Sequence, residues 1–178
     1  MTVFIIKVAA FVVLSAFITW FSWKPLHDVR SHGFYRFFVF ESILALILLN
    51  VDYWVRDPIS PLQIVSWLLL IVALLLAIHG FYLLRVIGKP SGDFEQTTVL
   101  VKRGAYKYIR HPLYSSLLFL AWGTLFKDVS LPGALLVLVA TVFLVLTARA
   151  EEAENTGKFG SAYADYMKGT RLFIPFIF

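Results

Sequence analysis

"RGAYKYIRHPLY", residues 103–114, sets three cationic side chains (Arg103, Lys107, Arg110), a histidine (His111) and three tyrosines into a chain that is otherwise mostly apolar. Pro112 has no amide hydrogen and suits the first turn of a helix, so a helix is predicted to begin just after His111. His111 then stands at the mouth of that helix, where free amide groups and positive potential favour an anionic ligand group such as a carboxylate. From Leu113 onward the sequence turns apolar again. A dense polar, aromatic segment is thus held between two membrane-type stretches.

Of the 178 residues, 60% are hydrophobic and 15% charged, with a mean hydropathy of +0.79. Soluble domains run at roughly 45–50% apolar and 25% charged. The chain is therefore predicted to be an all-α integral membrane protein forming one domain over residues 1–178. Five stretches read as transmembrane helices: 3–21, 34–51, 61–84, 113–126 and 131–146. Residues 1–85 hold the first three, and 86–178 hold a polar region with a helical hairpin, turned by Lys127 to Ser130 and a Leu-Pro-Gly signal. The first stretch contains Lys7 and ends in Thr-Trp-Phe-Ser-Trp, which reads as a membrane helix and not as a cleavable signal peptide.

Basic residues fall between helices one and two, between three and four, and after five, whereas the opposite loops offer Arg56 and Lys127. The positive-inside rule then puts the amino terminus outside and the basic loops and tail in the cytoplasm. A net charge of +5 is in this setting a topology and headgroup signal, and no basic soluble module is present to bind nucleic acid. The chain has no cysteine, which excludes disulfides and thiolate chemistry. No clustered His/Asp set suggests a metal.

Polar residues concentrate in residues 88–112 and in the tail from Ala148, both cytoplasmic on this topology. Solvated connection is the plain reading of such segments. Two of them on one side can also wall a site at the membrane surface. Glu151 and Glu152 are expected at the carboxyl end of the fifth helix, where acidic groups are unfavourable unless a cation such as Arg110 or Arg149, or a ligand ammonium, pairs with them. Within the spans, Glu41 is expected to pair near Arg36, Lys7 to snorkel outward, and His79 to be structural or to face the pocket.

Leu100, Val101, Gly104, Tyr106, Arg110, His111, Pro112 and Tyr114, followed by Glu151, Glu152, Phe159, Gly160, Tyr163, Tyr166 and Pro175, resemble in order and spacing the signature of the isoprenylcysteine carboxyl methyltransferase and phospholipid methyltransferase superfamily. The resemblance covers about the last 85 residues. It implies a membrane methyltransferase that binds S-adenosylmethionine between the Arg-His-Pro and Glu-Glu segments. Carried over by position, the cofactor pocket would use Gln96, a strand-like stretch of Thr98, Val99, Leu100 and Val101, Tyr106, His111, Pro112, Leu113, Tyr114 and Glu151. Catalytic roles would fall to Arg149 and Glu152. His111 would meet the cofactor's carboxylate and Glu151 its ammonium, or the reverse, with the adenine against tyrosine and Leu/Val side chains.

The acceptor implied is a membrane lipid, a lipid-modified group or a small molecule, methylated on a carboxylate, amine or thiol at the cytoplasmic face. Two positions depart from the carboxyl-methylating pattern: Thr147 replaces an arginine one turn before the glutamates, and Ser115-Ser116 replaces a glycine. An NADPH-dependent membrane lipid or sterol reductase shares a His-Pro-x-Tyr region, but this chain lacks the Asn and Gly-Glu around it. A non-catalytic membrane protein is the other alternative, opposed by retention of both halves of the signature.

Overall fold

A computed structural model describes residues 1–91 and 97–177. Its helices are α1 (Thr2–Phe21), α2 (His32–Asn50), α3 (Pro61–Val86), α4 (Pro112–Leu125), α5 (Leu131–Phe159) and α6 (Ser161–Gly169). The starts follow local chemistry. Ser31 and Ser130 accept hydrogen bonds from the amides of Gly33 and Gly133 at the starts of α2 and α5, while Pro61 and Pro112 open α3 and α4 without wasting an amide donor.

Four helices, α1, α2, α3 and α5, are long and apolar enough to cross a bilayer. α4, the fourth of the five expected spans, is a shorter apolar helix. Bounded by Pro112 and by the turn from Phe126, it has 14 residues, about 21 Å at 1.5 Å each, against a hydrocarbon core of about 30 Å. α4 packs chiefly on α3, and α5 on α2. Small residues permit the close approach: Gly123 faces Leu69 and Leu70 of α3, Gly80 faces Leu113, and Ser66 donates to the Gly123 carbonyl at 2.7 Å. Val39, Ile43 and Leu46 of α2 form the apolar core with Leu118 and Ala121 of α4, Ala140 and Leu144 of α5, and the tail residues Leu172 and Phe173. No α1 residue is buried, so the lipid solvates most of that helix.

A correction concerns α5. Expected to end its span at 146, it continues to Phe159 because nothing between Thr147 and Phe159 breaks a helix; Gly160 does, at φ +57 and ψ −134, a backbone state that side chains disfavour. Glu151 and Glu152 therefore lie two turns inside the helix, where the end-dipole penalty expected for them does not apply. Residues 98–101 are non-helical and form no strand; the bridge nearby is Pro90 with Thr97. Lys127, expected in an open loop, is 5% exposed. Its Nζ donates to Gln63 Oε1 at 2.9 Å and sits 3.5 Å from the centre of the Trp67 ring.

The non-helical segment ahead of α4 is satisfied by the carboxyl-terminal tail. Arg110 N donates to Arg171 O at 2.7 Å, Arg171 N to Tyr108 O at 3.0 Å, and His111 N to Leu172 O at 3.3 Å. Irregular backbone beside a membrane persists only when its polar groups are paired within protein. This pairing joins the two polar segments that the sequence separates by some sixty residues.

Candidate functional site

α4 presents His111 at its N-cap and Tyr114 in its first turn, and α5 presents Glu151, Asn155 and Phe159 at intervals of four, hence on one face. α6 turns back at Gly160 and adds Tyr163 and Tyr166. Together with Leu84, Leu100, Val101 and Tyr106 they enclose a cavity of about 600 Å³, its open mouth included. That mixed polar and apolar lining suits a small organic ligand.

The charged groups pair in and behind its wall. His111 is 5% exposed, with Nδ1 3.5 Å from Glu151 Oε2 and Nε2 3.8 Å from Glu152 Oε1. The Nε2 atom is buried without a hydrogen-bond partner. Burial opposes charge on the ring, but the two carboxylates outweigh it and hold its pKa above the ordinary value. The ring stacks on Tyr114 at 5.3 Å and 14°, and the Tyr114 hydroxyl hydrogen-bonds Glu151. Glu152 is engaged elsewhere: it accepts from Arg110 Nε and, at 3.2 Å, from Arg149 Nη1, while Arg110 also donates to the Thr170 carbonyl. Tyr166 donates to the Tyr106 carbonyl at 2.6 Å. Burial raises the pKa of Tyr163 and of Tyr166, so both remain neutral.

Of the residues predicted from sequence, Leu100, Val101, Tyr106, His111, Leu113, Tyr114 and Glu151 line the cavity. Thr98, Val99, Pro112, Arg149 and Glu152 do not. Thr98 Oγ1 donates to Lys89 O, and Pro112 is buried at the first turn of α4. Gln96 lies outside the described residues. Among the described residues no group of three or more His, Asp or Glu could hold a metal. The sequence reading missed Leu84, Thr97, Arg110, Asn155, Phe159, Tyr163 and Tyr166 as lining residues. A helix carried through to 159 would have found Asn155 and Phe159 from the four-residue interval after Glu151. His79 does not line the cavity; its Nε2 accepts from Ala105 N at 3.4 Å, and a Cβ on Gly104, at φ +57, would collide with its ring. Glu41 accepts from Ser15 of α1, and Lys7 pairs with Asp52 at 2.6 Å.

The model of a known family, the phospholipid methyltransferases, matches residues 62–162. This segment runs from α3 to the start of α6 and holds the cavity's lining residues other than Tyr163 and Tyr166. The chain belongs to the phospholipid methyltransferase family. Among relatives of this family member, a methanethiol S-methyltransferase of Pseudomonas deceptionensis is 26% identical over 161 residues, covering 86% of this chain and 52% of that protein. A methanethiol S-methyltransferase of Crocosphaera subtropica is 26% identical over 155 residues, covering 79% of the chain and 60% of that protein. The chain thus spans little more than half the length of the relatives it matches.

Proposed function

We propose that the chain is an integral membrane methyltransferase that uses S-adenosylmethionine, with its pocket at the cytoplasmic face and residues 1–178 acting as one domain. The observation that carries this reading is the His111–Glu151 pair in the wall of one cavity whose other lining residues are mostly aromatic and aliphatic. An imidazolium and a carboxylate in contact within the wall of a partly apolar pocket offer both a donor and an acceptor to a zwitterion bearing an adenine. His111 Nε2 lies 3.8 Å from Glu152 Oε1 without a hydrogen bond, which leaves a donor that a ligand carboxylate would satisfy. Bound there, S-adenosylmethionine supplies a methyl group activated by its sulfonium.

The chain's own part is binding, orientation and exclusion of water. Glu151, Tyr114 and Asn155 would hold the ammonium end, and His111 and the first amides of α4 the carboxylate end, or the reverse. Glu152 acts as a positioning residue on this reading, fixing Arg110 against the tail. Arg149, with a side chain 64% exposed and bonded to Glu152, is the cation this reading assigns to the acceptor side. Thr147 is fully buried and bonded to the Phe143 carbonyl, so no cation stands where the carboxyl-methylating branch carries one. With that position empty of charge, the thiol in the relatives' names becomes the favoured acceptor over a carboxylate.

Calorimetry with S-adenosylhomocysteine tests the reading. His111→Ala and Glu151→Gln should each weaken binding by about ten- to a hundredfold, since a charge-assisted hydrogen bond is worth about 1.5–3 kcal/mol. Unchanged affinity in both would put the pocket elsewhere, and no binding by the parent protein would remove the function.

A further inference from the structure

Residues 174–177 fold into a tight turn in which Ile177 N donates to Ile174 O at 3.3 Å. Pro175 fills its second position and Phe176 its third, at φ +67. A turn with proline second and a positive φ third favours glycine or asparagine at that third place. Phenylalanine there is strained. The core does not compensate for the strain, since Phe176 is 82% exposed and Ile177 78%. The Phe176 ring meets Tyr108, itself 47% exposed, with centroids 6.2 Å apart. Cations flank this pair. Lys107 Nζ lies 5.6 Å from the centre of the Tyr108 ring, and Arg171 bridges to Ile109 beside it. Lys107 and Arg171 are exposed, and neither forms an ion pair among the described residues. Lys168, nearby in sequence, is neutralised by Asp165 at 2.8 Å. Tyr108 stands just ahead of Pro112, where α4 begins. Leu113 and Tyr114 in the first turn of α4 share a groove with Trp20 and Trp23, exposed indoles of the kind that mark the boundary between lipid and headgroup. The aromatic and cationic patch thus lies at headgroup level on the pocket side.

We propose that Lys107, Tyr108, Arg171 and Phe176 form an interfacial foot that docks on anionic phospholipid headgroups of the pocket-side leaflet, with the Phe176 ring immersed beneath them. The charges are complementary, and burial of the ring at the acyl boundary offsets the strain of its turn. The foot is continuous with Arg171 and Leu172, whose backbone pairs with Tyr108, Arg110 and His111. The strand that backs the pocket is thereby tethered to the leaflet. The inference holds whichever ligand fills the pocket.

The test uses the full chain in lipid nanodiscs with a nitroxide on Ile177→Cys, placed cleanly because the chain has no cysteine of its own. Accessibility of the label to oxygen, which enters lipid, and to a water-soluble nickel chelate gives the ratio of immersed to exposed states. With phosphatidylglycerol in the bilayer the label should be immersed. Lys107→Gln and Arg171→Gln should each lower the ratio about fivefold, and phosphatidylcholine alone should lower it as far as both together. Phe176→Gly relaxes the turn while deleting the ring, so it should lower the ratio about tenfold or more and leave thermal stability in detergent equal or higher. Phe176→Trp should keep the parent's ratio. A label open to the chelate in every lipid would overturn the proposal. So would immersion indifferent to both cations and to phosphatidylglycerol, which would make the contact apolar alone. A marked loss of stability in Phe176→Gly would make the ring a packing element of the fold, and dipolar broadening between labels would assign the patch to a second copy of the chain; either result overturns the proposal too.

Discussion

His111 carries two roles that pull in one direction. Glu151 and Glu152 hold its pKa above the ordinary 6.5, so the folded state binds a proton more tightly than the unfolded state. The resulting stability is fully present below about pH 6.5 and is lost as pH rises through the folded value. Thermal unfolding in detergent should therefore show a decline above neutrality that His111→Gln flattens; parallel curves for the two proteins would refute it. Glu152 is 5% exposed and pairs with Arg110 and Arg149. Removing its charge strands Arg110, and breaking a buried pair costs about 3–5 kcal/mol. Glu152→Gln should accordingly lower thermal stability far more than Arg149→Ala, whose side chain is solvated. Arg149→Ala should also reduce turnover less than Glu151→Ala. A larger loss at Arg149 would show that α5 turns a different face to the pocket than the one bearing Glu151.

At the scale of elements, the break between α5 and α6 decides whether the two tyrosines reach the pocket. Gly160 sits at φ +57 with open space around its Cα, whereas Gly157 lies inside α5, also with nothing near. Crowding is the same at both; conformation differs. Gly160→Ala should strain the turn by about 1–2 kcal/mol or more, swing Tyr163 and Tyr166, and weaken S-adenosylhomocysteine binding. Gly157→Ala, a helix-interior exchange, should leave binding alone and stabilise by up to about 1 kcal/mol. Equal binding losses at both sites would mean that α6 is not positioned by the turn. At the other end of the bundle, Lys127 ties the α4–α5 turn to Gln63 and to the Trp67 ring, and burial lowers its pKa.

For the whole molecule, the tested quantity is orientation. The sequence contains no cysteine, so single cysteines report cleanly. Val129, 55% exposed beyond α4, should label from outside in intact cells as Val129→Cys, and Lys107→Cys, at the pocket end, only after permeabilisation. Equal labelling of the two would end the proposed topology. Lys127, buried under tryptophan, is unsuited to such a test.

Hydropathy is additive along a chain, and so residues alone were enough to establish the membrane class, the starts of the helices and the contrast between apolar spans and two polar segments. The ordered signature likewise brought His111, Tyr114 and Glu151 into one candidate site. Other properties depended on partners far away in sequence. Glu151 and Glu152 are chemically identical neighbours, yet a rotation of one residue along α5 sends one to the cavity and the other to Arg110. Which helix α4 packs against was settled by Gly80, Gly123 and Ser66 meeting their counterparts across the bundle. The groove behind Tyr114 exists because α1, α2 and α4 leave space between them. Spans are written in local polarity, whereas pairing and empty space arise only when packed surfaces compete for the same neighbours, and that competition is settled in three dimensions.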